Sequence, residues 1–308
     1  MYLQHFGLQQ TPFSLTPDTE FFMYHAGYQD ALNVLLVALR SGEGFIKVTG
    51  EVGTGKTLLC RKLMKTLGED HQIAYLPNPC LGPEALLLAI AEEIGVSGTE
   101  LPDWAGRQRI IQVLNQTFIQ RHAEGKRVMV LLDEAQAMPI VTLETLRLLT
   151  NLETEKYKLV QVVLFGQPEL DQVLADPCIR QLRQRITFSY QLCPLNRPAL
   201  AHYIDHRLQI AGYQGEGLFD AAALDLLYRG ARGIPRLANI LAHKSLMVAY
   251  GEGGQRIERR HVQLAIADTT DARSFRAGPG FVAGMGGLLQ GLSERMADLL
   301  SRPGGPKP

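Results

Sequence analysis

Two short groups of residues in this 308-residue chain have the types and spacing to do phosphate chemistry. The first is Gly50-Glu51-Val52-Gly53-Thr54-Gly55-Lys56-Thr57, which follows the pattern G-x-x-x-x-G-K-[ST]. Its glycines permit a tight turn that brings backbone N–H groups against phosphate oxygens, and a helix opening at Leu58 adds partial positive charge. Lys56 then reaches the β- and γ-phosphates, and the Thr57 hydroxyl sits on Mg²⁺. The second group is Asp133-Glu134, directly after the apolar run Val128-Met129-Val130-Leu131-Leu132. Asp133 is suited to holding Mg²⁺, and Glu134 to polarising an attacking water. An acidic pair after a strand also caps helices. Its position downstream of the glycine-rich loop is what gives it weight, and the two groups together point to ATP with Mg²⁺.

Three further positions are candidates. Gln167, in Gly166-Gln167-Pro168-Glu169, stands at the tip of a strand and can sense a γ-phosphate or serve only as a turn residue. Arg180, Arg183 and Arg185 fall within Ile179 to Ile186. Such a run is commonly a solvated helix face, and its functional alternative is a finger that brings positive charge to a neighbouring subunit's nucleotide. Gly233-Ile234-Pro235-Arg236 opens a helix with proline at a favoured early position, and Arg236 can reach back toward phosphate. His202 and His206 lie four apart, but no H-E-x-x-H pattern or third ligand accompanies them, so a metal site there is not expected.

These groups need a scaffold, and the apolar spacing supplies one. Phe45 to Thr49 reads as a strand, Leu58 to Leu67 as a helix, and Gln72 to Leu76 as a second strand. After the break at Pro77-Asn78-Pro79, helices are expected around Leu86 to Ile90 and from Gln108 to Arg121. Val128 to Leu132 lacks polar alternation, as suits a strand covered on both faces. A helix over Thr142 to Leu152 precedes strands at Leu159 to Phe165 and Thr187 to Leu192. This alternation predicts an α/β fold with a parallel sheet. From Pro194 only helical patterns follow: Arg197 to Ala211, Asp220 to Arg229, Pro235 to Tyr250 and Glu258 to Ala267.

The expected organisation is an aromatic-rich arm and first helix (1–40) packed on the core, a phosphate-binding α/β core (41–193), a small helical domain (194–270) and a Gly/Pro-rich tail (271–308). The aromatics of the arm are expected mainly in the core, with contact to an adenine ring as the alternative. In the tail, Phe281, Met285, Leu288, Leu292, Met296 and Leu299 can form one apolar helical stripe.

Composition narrows the class. Hydrophobic residues are 46% and charged residues 20%, ordinary for a globular protein. The 31 basic and 31 acidic residues cancel, so nothing demands a polyanionic partner, although a local basic patch remains compatible. Four scattered cysteines (Cys60, Cys80, Cys178, Cys193) form no C-x-x-C pair and suit reduced thiols. No apolar run approaches the roughly 20 residues that cross a bilayer, and the amino terminus has no secretory pattern. A cytoplasmic protein without a transmembrane segment is expected.

Taken together, the motifs resemble those of the AAA+ ATPases, and among them the ExeA-type family of general secretion and MSHA type IV pilus biogenesis. The resemblance is carried by Tyr2 to Phe13 (YLQHFGLQQTPF), GEVGTGKT, Asp133-Glu134-Ala135-Gln136, Phe165 to Leu170 (FGQPEL), Leu182 to Ile186 (LRQRI), Cys193-Pro194-Leu195 and Gly233 to Arg236. It spans residues 1 to about 270. It implies an ATPase core with a helical lid, assembled with itself into a ring, with six subunits expected and sites lying between them. It also implies partners among the inner-membrane assembly proteins of a pilus or secretion complex. On this basis Lys56 and Thr57 bind phosphate and Mg²⁺, Asp133 holds the metal, Glu134 activates water, Arg185 is the first choice for the finger and Arg183 the second, and Arg236 is the lid arginine. Family members often continue into a membrane span and a periplasmic peptidoglycan-binding domain. The present sequence shows neither, which favours the shorter pilus-biogenesis type. The alternative function is a DNA-binding ATP switch of the transposition-regulator type, for which Arg256, Arg259 and Arg260 are the candidate basic patch.

Overall fold

The computed structural model describes residues 2–16, 20–23, 25–96, 106–150 and 158–272. The expected tail stripe from Phe281 and the expected end of a helix at Leu152 lie outside them.

In chain order the elements are α1 (Tyr2–His5), α2 (Ala26–Arg40), β1 (Phe45–Gly50), α3 (Lys56–Leu67), β2 (His71–Leu76), α4 (Pro83–Glu93), α5 (Arg107–Ala123) and β3 (Arg127–Leu132). There follow α6 (Ile140–Leu149), β4 (Val160–Gly166), α7 (Glu169–Leu174), α8 (Arg180–Arg185) and β5 (Ile186–Leu192), then α9 (Arg197–Ile210), α10 (Ala221–Ala231), α11 (Pro235–Gly251) and α12 (Arg259–Ala267). Chain contacts divide these into two units, one of residues 17–193 and one that joins residues 1–16 to residue 194 onward.

The first unit is built on a five-stranded sheet in the order β2-β3-β4-β1-β5, and every pairing is parallel. Its central strands lack alternation in burial because both faces are covered. Val128, Val130 and Leu132 of β3 face a cluster with α4, α5, α6, α7 and α8, while Met129 and Leu131 face one with α2 and α3. Fully burying each such side chain contributes about 1.5–3 kcal/mol. The edge strand β5 alternates between partly buried and exposed residues, as one covered face dictates. Parallel pairing puts the carboxyl ends of β1, β3 and β4 on one edge, so the glycine-rich loop, Asp133-Glu134 and Gln167 emerge together.

The second unit is helical. Asn196 caps α9 by accepting the Ala199 N–H at 2.9 Å, and Asp220 caps α10 by accepting that of Ala223. Leu200, Ile204, Leu227, Leu241, Leu246 and Val262 form its interior.

The arm was expected on the α/β core, but residues 2–16 belong to the helical unit. The backbone N–H of Gln9 donates to Ala211 O at 2.8 Å, His5 Nε2 pairs with Gly254 O at 2.8 Å, and the Phe13 ring meets Phe219 edge-on at 6.2 Å. The buried Arg207 side chain donates from Nε to Pro12 O at 2.5 Å and from Nη2 to Ser14 O at 3.4 Å. The arm therefore satisfies donors of the helical unit with its own carbonyls, and buries Phe6, Leu8 and Phe13. The first helix, α2, does lie on the sheet: Ala31, Leu35, Ala38 and Leu39 are fully buried against it.

Candidate active site

The glycine-rich loop closes between β1 and α3. Thr54 ties the turn by donating its hydroxyl to Glu51 O at 2.8 Å and its backbone N–H to the same oxygen at 3.2 Å. Gly55 has φ +100°, and the Tyr28 hydroxyl occupies the space a Cβ would fill. That hydroxyl donates to Thr54 O at 2.9 Å, so α2 braces the loop from behind. Only glycine meets both conditions, the left-handed backbone and the close tyrosine. Downstream, the first N–H groups of α3 have no intrahelical acceptor, as at every helix start.

Lys56 is buried, and its Nζ donates to Gly50 O at 2.8 Å and Glu51 O at 3.1 Å. Burial lowers the pKa of its ammonium below the ordinary lysine value, against the opposing pull of the Glu134, Asp133, Glu51 and Glu169 carboxylates. Across from it, Thr57 Oγ1 donates to Asp133 Oδ2 at 2.6 Å, and Asp133 Oδ1 accepts the Glu134 N–H at 3.0 Å. Burial raises the pKa of Asp133, and these two hydrogen bonds restrain the shift. A hydroxyl and a carboxylate held this close form an oxygen-only donor pair, the chemistry that a hard cation such as Mg²⁺ prefers. The residues present therefore fit a Mg²⁺–nucleotide: Thr57 and Asp133 would hold the metal, whose charge would neutralise phosphate oxygens, while the loop and Lys56 would hold the phosphates.

Glu134 adopts φ 55°, ψ 37°; it and Arg232 are the two non-glycine residues with positive φ among the described residues. This conformation costs about 1–3 kcal/mol and marks a position held by its surroundings. Its Oε2 accepts Gln136 Nε2–H at 2.6 Å and Gln167 Nε2–H at 3.0 Å. Burial works to raise the Glu134 pKa, but these two amides and the Lys56 charge outweigh it, and the carboxyl is held below its usual range.

The sheet thus brings Gly50 to Leu58, Asp133, Glu134 and Gln167 to one edge. Gln167 does more than form a turn, since both its backbone and its side chain engage the acidic strand's tip. Arg185 is half-buried, with Nη1 3.4 Å from Arg147 O and from Thr150 Oγ1, at the end of α6. Arg183 and Arg180 are exposed on α8. Arg236 is exposed in the first turn of α11, in the helical unit. Sequence reasoning did not single out the roles of Tyr28 and Gln136. Tyr28 sits among expected core aromatics, and a glutamine after an acidic pair has no spacing that marks it.

Residues 39–174 match the family described as the AAA domain. Over 275 residues, 89% of this chain, the sequence is 42% identical to the general secretion pathway protein A of Aeromonas hydrophila; the chain spans about half (49%) of that relative's length. In fold it is similar to the Cdc6 protein of Pyrobaculum aerophilum, at TM-score 0.62 and 19% identity, covering 82% of this chain and 70% of that one. It is also similar to the Aeropyrum pernix ORC1 protein solved in complex with DNA, at TM-score 0.58 and 22% identity, covering 84% and 69%. The glycine-rich loop, the acidic strand and the parallel sheet, together with these matches, give this chain an AAA-type P-loop α/β fold in a sequence similar over most of its length to general secretion pathway protein A.

Proposed function

We propose that this chain hydrolyses ATP with Mg²⁺ and uses the nucleotide cycle to assist assembly of a type IV (MSHA-like) pilus or a type II secretion complex at the cytoplasmic face of the inner membrane. The observation that carries the hydrolytic part is the Thr57–Asp133 pair at 2.6 Å, set beside buried Lys56 and the oriented Glu134 carboxylate. Glu134 takes the proton of water as the new O–P bond forms to the γ-phosphorus, and the bridging P–O bond breaks to release ADP. The assembly part is supported by the sequence relationship to general secretion pathway protein A. Among the described residues no helix is long and apolar enough to cross a membrane.

In this reading the active form is a ring-like oligomer, with six subunits expected. Arg185 is the first choice for the finger completing a neighbour's site, Arg183 the second, and Arg236 is the lid arginine. The 3.4 Å contacts of Arg185 to α6 are long and release it at little cost. The test is mass distribution with ATP and Mg²⁺ alongside turnover, for wild type and Arg185→Ala. Loss of turnover by about 10²-fold or more with nucleotide binding kept supports a shared site. Unchanged turnover in a protein that stays monomeric rejects it.

A second reading is a DNA-binding ATP switch, favoured by the fold it shares with an ORC1 protein solved on DNA. Against it, Arg260, one of the three candidate basic residues, is paired with Glu252 at 3.3 Å and Glu258 at 3.2 Å. Salt-sensitive retention of plain duplex DNA would select this reading.

A further inference from the structure

The groups around Glu134 form a closed circuit of hydrogen bonds. Gln167 contributes twice: its backbone N–H donates to Gln136 Oε1 at 3.0 Å, and its side-chain amide donates to Glu134 Oε2 at 3.0 Å. Gln136 completes the circuit through Nε2, 2.6 Å from the same Glu134 oxygen. Both ends of the Gln136 amide are therefore used, which fixes its orientation, and Glu134 Oε2 has two donors while Oε1 is left to take another. The circuit links the turn after β3 to the turn after β4. Gly166 leaves room for it, since a Cβ there would lie 3.3 Å from Gln136 Oε1 and 2.7 Å from a Leu170 methyl. The left-handed backbone of Glu134 aims its side chain into this clamp.

We propose that Gln136 is the positioning residue of the active site: it orients the Glu134 carboxylate so that Oε1 faces the attacking water, and it makes that orientation depend on where the β4 tip holds Gln167. This rests on the hydrolytic reading above. Gln136 acts through Glu134 and does not touch phosphate. A carboxylate held by one amide in place of two keeps its charge but rotates more freely, and misplacement on the scale of 1 Å costs about 10²-fold in rate. The clamp also gives a physical route by which a shift at the β4 tip, sensed by Gln167, changes the aim of the base.

The test uses the full chain as wild type, Gln136→Leu, Glu134→Gln and the double variant, with ATP turnover and ATP affinity measured in Mg²⁺. Gln136→Leu should lower kcat by about 10- to 100-fold while affinity changes less than about threefold. In the Glu134→Gln background, adding Gln136→Leu should change the residual turnover less than about twofold, since the group being positioned is already gone. A merely structural role would cost both backgrounds alike. Gln136→Glu keeps an acceptor for the Gln167 N–H but removes the donor to Glu134, and it serves as the test if the leucine variant does not fold; it should lower kcat by a similar factor. Wild-type kcat in either variant, or an equal loss in both backgrounds, overturns the clamp. A wild type that binds ATP but turns it over no faster than Glu134→Gln instead rejects the hydrolytic reading, and the clamp with it.

Discussion

Two histidines outside the site set a pH dependence that can be read residue by residue. Burial lowers the pKa of His25, which precedes α2, and of His243 on α11, so the folded protein resists charging them. Their pKa values are lowered relative to the unfolded chain, so the unfolded state binds more protons near pH 6. The stability they contribute is present above the unfolded histidine value and is lost as pH falls from there through the lowered folded values. Thermal unfolding between pH 7 and pH 5 should show a fall in Tm that is shallower in His243→Gln. An identical slope in both proteins would show that His243 is not the group responsible. At the same scale, Gly50 to Thr57, Asp133, Glu134 and Gln167 are readable in the sequence as candidate site residues because each stands at a marked spacing or a strand end. Gln136 is not. Its importance comes from a neighbour 31 positions away, which only the sheet brings near.

At the scale of elements, the loop depends on what α2 places behind it. Gly55→Ala would set a Cβ against the Tyr28 hydroxyl and force an L side chain into φ +100°. It should cost about 1–3 kcal/mol of stability and weaken nucleotide affinity by at least about tenfold. Tyr28→Phe added to it should recover part of the loss, since the clash falls on the hydroxyl, but not the backbone strain. Tm and nucleotide affinity across the two variants check this, and full affinity in Gly55→Ala would show that the loop is not fixed as described. The strands were legible because unbroken apolar runs such as Val128 to Leu132 mean burial on both faces. The six residues of α7 were not, being too few to display a period and following Pro168 in what reads as a turn.

For the whole molecule, the division between Cys193 and Pro194 follows the change from alternating strands and helices to helices alone. The partner of the amino-terminal arm was not legible. Aromatic content shows that Phe6 and Phe13 are buried but not against which unit, and chain adjacency pointed to the wrong one. The helical unit needs the arm because Arg207 is buried among its carbonyls and the Tyr203 hydroxyl. Arg207→Ala should destabilise that unit by about 1–3 kcal/mol, leaving carbonyls short of a donor, while the ATP affinity of the α/β unit stays within about threefold. Limited proteolysis at the arm and nucleotide titration separate the two effects. An unaltered arm would show that Arg207 does not hold it.

The central claim, that the acidic strand and the glycine-rich loop form a working hydrolytic site, is tested most directly by steady-state ATP turnover of wild type and Glu134→Gln, with nucleotide affinity measured on both. Wild type should show Mg²⁺-dependent turnover, Glu134→Gln should lose about 10²-fold or more of it, and the two affinities should agree within about threefold. Equal turnover in the two proteins would contradict it.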